Sequence, residues 1–189
     1  KLVLALLVFG GALAGAHAVQ YQRIPAALKR QSERAAAADK LELATHYLRQ
    51  YLEFHPEDVD AQVRLAELIV KRNPGQRGRT DLLFLYDKIL RLDPARDEIR
   101  REALATALAL GKYADAVTHA EGLLKAVPTE AALWHRLAEA QTGLNQFRPA
   151  RTSYETAVRL APQELLGYQM LAQLVWRNIE DTPGAREVL

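Results

Sequence analysis

Residues 131–162, AALWHRLAEAQTGLNQFRPARTSYETAVRLAP, decide the fold of this chain. Trp134, Leu137 and Ala138 recur at helical spacing and form one apolar stripe. A break follows over residues 143–146, and a second stripe runs through Phe147, Ala150, Tyr154, Ala157, Val158 and Leu160. The pattern predicts two helices joined by a tight turn. Ala138, Ala150 and Ala157 let the two backbones approach, while Trp134, Phe147 and Tyr154 fill the wedges beside them.

The same unit recurs outward from this stretch. Prolines at Pro94, Pro128 and Pro162 are spaced by 34 residues (128 − 94 = 34; 162 − 128 = 34), and Pro56 precedes them by 38 (94 − 56 = 38). Each closes an apolar helical run: YLEFHP, ILRLDP, LLKAVP and AVRLAP. A fixed period of this size describes one supersecondary unit stacked on copies of itself. The unit 97–128 carries Ala103, Leu104, Ala107, Leu110, Gly111, Tyr113, Ala116, Leu123 and Leu124, with Arg100 where the following unit has Trp134. The unit from Val59 has Leu65, Ala66 and Ile69 in its first helix, then Leu82, Tyr86, Ile89 and Leu92 in its second. Its four extra residues are expected in an expanded loop over Asn73–Thr80, with Thr80 or Asp81 capping the next helix. That loop is not a phosphate cradle, because no Gly-Lys-Ser/Thr follows it and no strand precedes it. The first unit carries Ile24, Leu28 and Ala35, then Leu41, Ala44, Leu48, Tyr51 and Leu52. Asp39 and Glu42 resemble a capping box, and Tyr51 in place of a small residue suggests a splayed hairpin. A fifth unit opens at Leu165 with Tyr168, Leu171, Ala172 and Val175 and is expected to turn over Asn178–Gly184.

The order W-x2-L-A, F-x2-A, Y-x2-A and a terminal Pro resembles the tetratricopeptide repeat. The resemblance covers residues 22–189 as four units and part of a fifth. It implies an all-α, right-handed α-α superhelix, a solenoid of antiparallel helix pairs.

Composition narrows the function classes. With 189 residues, 49% hydrophobic and 25% charged, the chain is that of a folded domain. Lys and Arg number 25 against 23 Asp and Glu, a net charge of +2, so no field points to nucleic acid. Cysteine is absent, which removes disulfides, thiolate nucleophiles and cysteine zinc sites. From Leu2 to Val19 no residue is charged. Two readings of segment 1–19 stay open: a membrane anchor, whose basic flank at Arg23, Lys29, Arg30 and Arg34 favours the cytoplasmic side, or a secretory signal with Ala16-His17-Ala18 as cleavage site. The first makes the protein single-pass and membrane-anchored; the second makes it secreted or periplasmic. The repeats occupy 20–189, and Lys1 and the uncapped helical start at Ala185–Leu189 suggest a longer protein on both sides.

Little in the chain suggests catalysis. His17, His46, His55, His119 and His135 include no i, i+4 metal pair, and Ser32 and Ser153 lie in no strained nucleophile turn. No cofactor or metal is expected. The resemblance places first helices along the concave face, which puts Lys29, Glu33, Val63, Glu67, Arg101, Ala105, Leu108, His135, Glu139, Gln169, Gln173 and Trp176 toward a groove. Such a lining suits an extended peptide or a helix, with Arg101 and His135 for a carboxylate and Leu108 or Trp176 for apolar contact. The family's carboxylate clamp is disfavoured, because Glu33, Val63 and Glu67 stand where it wants Lys and Asn. The expectation is a membrane-tethered, non-catalytic scaffold for a protein or peptide partner, not for nucleic acid. Two alternatives are the interaction region of a larger enzyme and a self-associating structural protein.

Overall fold

The structure, a computed structural model, describes residues 23–178. The apolar run 2–19 and the turn expected beyond Asn178 lie outside the described residues. Helix α1 covers 23–37 of these, followed by α2 (Leu41–Phe54), α3 (Val59–Lys71), α4 (Gln76–Leu92) and α5 (Asp97–Ala109). Then come α6 (Tyr113–Ala126), α7 (Ala131–Gly143), α8 (Phe147–Leu160) and α9 (Leu165–Asn178). No strand occurs among the described residues, and none of their helices is long and apolar enough to cross a membrane. The chain divides into two compact units, one ending at Gly78 and the other beginning at Arg79.

In the first unit, α2 packs against α3. The buried Ser32 hydroxyl of α1 donates to the Ala44 carbonyl of α2 at 2.8 Å, which satisfies a polar group buried between the two helices. Tyr51 is buried, and its hydroxyl donates to Asp58 Oδ2 at 2.6 Å, so the large side chain is turned to use at the start of α3. Asp58 also caps α3, accepting from the Ala61 amide at 2.9 Å.

In the second unit, α5 packs on α6, α6 on α7, α7 on α8 and α8 on α9. The small residues sit where backbones meet: Ala103, Ala107, Ala116, Ala120, Ala138 and Ala150 are fully buried. Tyr154 joins Ala138, Ala150, Leu171, Leu174 and Val175 in one core, with Phe147 at its edge. Trp134 departs from the expected wedge: it is only partly buried, and its indole N–H donates to the Pro128 carbonyl at 2.8 Å. The same bond recurs with other chemistry, from Arg100 to the Pro94 carbonyl at 2.9 Å and from Gln62 to the Pro56 carbonyl at 2.5 Å. An N–H donor six residues after each of these prolines satisfies the proline carbonyl in the turn between two helices. Arg100 therefore does the same job as Trp134.

The first helices α1, α3, α5 and α7 each end on a left-handed residue: Asp39 (φ 57°), Asn73 (φ 49°), Gly111 (φ 67°) and Asn145 (φ 59°). At three of them the next amide reaches back across the turn, Lys40 to Ala35, Lys112 to Ala107 and Gln146 to Gln141, at 2.8–2.9 Å. Asp39 thus ends α1. It does not cap α2, where Lys40 is the N-cap and no side-chain cap bond forms. After Asn73 comes Pro74, which has no N–H to donate, and the second helix starts one residue later than in the other units. The expected loop over Asn73–Thr80 is mostly helix: α4 has 17 residues against 14 for α2, α6 and α8, with Thr80 and Asp81 inside it. Gly78 is required there, because a Cβ would lie 2.6 Å from Pro74 Cβ.

Candidate functional site

Every predicted groove residue lies on a first helix of a pair: Lys29 and Glu33 on α1, Val63 and Glu67 on α3, Arg101, Ala105 and Leu108 on α5. His135 and Glu139 lie on α7, and Gln169, Gln173 and Trp176 on α9. In the first unit, Lys29 and Glu33 share a recess of about 110 Å³ with Asp60 and Arg64. Val63 and Glu67 do not line it, and Glu67 accepts a 2.6 Å bond from its own neighbour Arg64.

The second unit assembles more. A cavity of about 410 Å³ brings Ala105 and Leu108 of α5 together with His135 and Glu139 of α7. Val158 and Ala161 add apolar lining, and Glu164 and the 57%-exposed Leu166 line it as well. Gln173 lines a separate recess of about 270 Å³ with Glu139, Tyr154 and Met170. Gln169 and Trp176 line neither, although Trp176 is 60% exposed.

Arg101 does not wait for a partner's carboxylate. Its two terminal nitrogens each donate to Glu130 at 2.6 Å, a two-point bridge beside a recess of about 200 Å³. The guanidinium holds the Glu130 carboxyl below its ordinary value, and burial opposes this only in part. The first unit repeats the device. Lys29 donates to Asp58 at 3.2 Å, and its ammonium stands 5.1 Å from the Tyr51 ring centroid. Burial works to raise the Asp58 carboxyl, but the bonds from Tyr51, Ala61 and Lys29 outweigh it and leave Asp58 below the usual carboxylate range.

Both bridges join residues 29 positions apart. The same offset on α7 joins His135 to Glu164 (164 − 135 = 29), two residues after Pro162 as Asp58 and Glu130 follow their prolines. Here no ion pair forms. Burial pushes the His135 imidazole below its ordinary value, with Arg136 acting the same way, and the Glu139 and Glu164 carboxylates oppose this only in part. The imidazole packs edge-on to Tyr154 at 5.1 Å, and its Nε2 is buried without a hydrogen-bond partner. In the sequence Asp58 and Glu164 read only as helix-start acids that cap amides, as Asp58 does for α3, and Glu130 does not stand out. Their common offset from the repeat proline is the signal that marks them.

The fold is that of a helical-hairpin repeat protein, and the comparisons agree. Residues 107–174 match a family model described as tetratricopeptide repeat. Among solved structures, MamA (41-end) from Desulfovibrio magneticus RS-1 aligns with a TM-score of 0.65 at 21% identity, covering 87% of this chain and 90% of that one. MamA AMB-1 aligns with a TM-score of 0.63 at 22% identity, covering 87% and 88%. At such identity the likeness is one of fold: an all-α, α-α superhelix of antiparallel helix pairs. ER membrane protein complex subunit 2 of Xenopus tropicalis is 28% identical over 110 residues, 56% of this chain. Subunit 2-B of Xenopus laevis matches equally. The chain spans 37% of the length of these curated relatives. Among the described residues no group of three or more His, Asp or Glu is placed to hold a metal ion.

Proposed function

We propose that the chain is a non-catalytic interaction scaffold that holds a peptide or helix of a protein partner on the face formed by α5, α7 and α9. The observation that carries this is the cavity of about 410 Å³, where Ala105, Leu108, His135 and Glu139 meet and Leu166 stands exposed. Mixed apolar and polar lining and small volume suit one anchoring side chain of an extended ligand. The tetratricopeptide match at 107–174 includes Leu108 and all of α7, and the curated relatives are by name subunits of a membrane protein complex, which supports a role within an assembly. Tethering through residues 2–19 belongs to the same proposal.

A photo-crosslinking residue at position 139, on this face, is compared with one at Arg148, exposed on the outer helix α8. The scaffold reading expects a discrete adduct from position 139 and none from 148 in the native host. Identical adducts from both positions would sink the assignment of this face.

A further inference from the structure

Three helix steps in this chain place a position on a first helix beside an acid in the turn 29 residues later. At two of them the helix residue is a permanent cation and the acid is neutralised within the chain: Lys29 on Asp58 at 3.2 Å and Arg101 on Glu130 at 2.6 Å. At the third, the helix residue is an imidazole whose burial disfavours its charged form. Glu164, in the cavity lining there, meets no ion-pair partner among the described residues, and neither does Glu139 in the same lining. Arg136, which lines the same cavity, also lines the recess beside Glu130, and its charge acts on that carboxylate. The same cavity is lined by Leu108, Val158 and Ala161, apolar side chains of the kind that cover the methylene stem of a long basic side chain while its head stays with polar groups.

We propose that this cavity, within the scaffold reading above on which the proposal rests, receives one arginine or lysine side chain of the peptide partner, its cation between Glu139 and Glu164. The partner then supplies at this step the positive charge that Lys29 and Arg101 supply at the others. An acidic side chain would meet the two carboxylates, with Arg136 the one permanent cation among the lining residues and engaged by its charge with Glu130 on its other side. The cavity holds a purely apolar one less well, because the two acids would lose water without gaining a partner.

The test uses the full chain and three pools of short fluorescent peptides, random except for a central arginine, norleucine or glutamate, read by fluorescence polarisation. The arginine pool is expected to bind tightest and the glutamate pool weakest. Glu164→Gln should weaken the arginine pool about fivefold and leave the norleucine pool unchanged, while Glu164→Asp restores the preference. His135→Arg, which sets an in-chain guanidinium where Arg101 sits one repeat earlier, should remove the preference for arginine. Far-UV circular dichroism confirms that each variant is folded. Equal binding of all pools, or an arginine preference that survives Glu164→Gln, overturns the basic pocket, and the groove survives if Leu108→Glu still blocks every pool. Binding of no pool overturns pocket and groove together.

Discussion

The step from α5 to α7 and the step from α7 to α9 share one frame and reach opposite electrostatic states. Both end their first helix on a left-handed residue, Gly111 or Asn145, both close on a proline, and both bury alanines at the crossings. Yet at the first step Arg101 grips Glu130 at two points, while at the second burial lowers the His135 pKa and Glu164 forms no ion pair among the described residues. The frame residues are buried, whereas the groove positions are partly or fully exposed. One step is bridged within the chain, and the other presents a recess with acidic walls.

The comparison can be broken most severely through its shared core. Tyr154 is 4% exposed and touches both the core and His135, so Tyr154→Ala should cost about 3–5 kcal/mol, read as a lowered midpoint in urea unfolding. A smaller effect belongs to the closed step. Arg101 and Glu130 are partly exposed, with side chains 41% and 31% accessible, so a double-mutant cycle of Arg101→Ala and Glu130→Gln should give a coupling of about 1 kcal/mol that shrinks in high salt. His135→Arg should convert the open step into the closed one and raise stability by about 0.5 kcal/mol, seen as a small upward shift in thermal midpoint. An unchanged or lowered midpoint would separate the two steps in geometry as well as in charge.

The last signal is a slope with pH. His119 on α6 is 5% exposed and its pKa is lowered, chiefly by burial, with Arg100 of α5 adding to this and Asp87 of α4 and Asp115 of α6 opposing. Its Nε2 lies 3.3 Å from Asp87 Oδ1, but neither ring nitrogen is aligned for a hydrogen bond. Because the unfolded imidazole takes its proton first, stability should fall as pH drops below the ordinary value of 6.5. His119→Gln should flatten that fall and leave the contribution of His135, whose pKa is also lowered. Glu130 contributes in the opposite chemical sense: its depressed carboxyl stabilises the fold above the ordinary value of 4.5, and that contribution is lost as pH falls further. Urea midpoints measured across this range for the parent and His119→Gln check both windows.

Much of the frame is legible in the chain, for local reasons. The two stripes of 131–162 become α7 and α8, and the repeat prolines close α2, α4, α6 and α8. Reading fails where a residue's role depends on what stands one turn or one repeat away. Asp39 and Glu42 look like a capping box, but Asp39 is drawn into the left-handed end of α1. Asn73–Thr80 looks like loop because it is rich in turn residues, but burial of Leu82, Leu83 and Tyr86 extends the helix back to Gln76. Arg101 looks like a free cation for a ligand because its partner, Glu130, lies in the next unit.

The sequence by itself determines the repeating hairpin, since spacing along a helix, the missing N–H of proline and the size of alanine act on near neighbours whatever the rest of the chain does. It also determines which residues ride on the first helices. Only the tertiary structure decides which charges are already spoken for: Lys29 and Arg101 meet acids 29 residues away across a turn, and burial disfavours the charged form of His135 beside Glu164. Those outcomes depend on distances of a few ångströms and on the exclusion of water, which exist only once the hairpins have stacked.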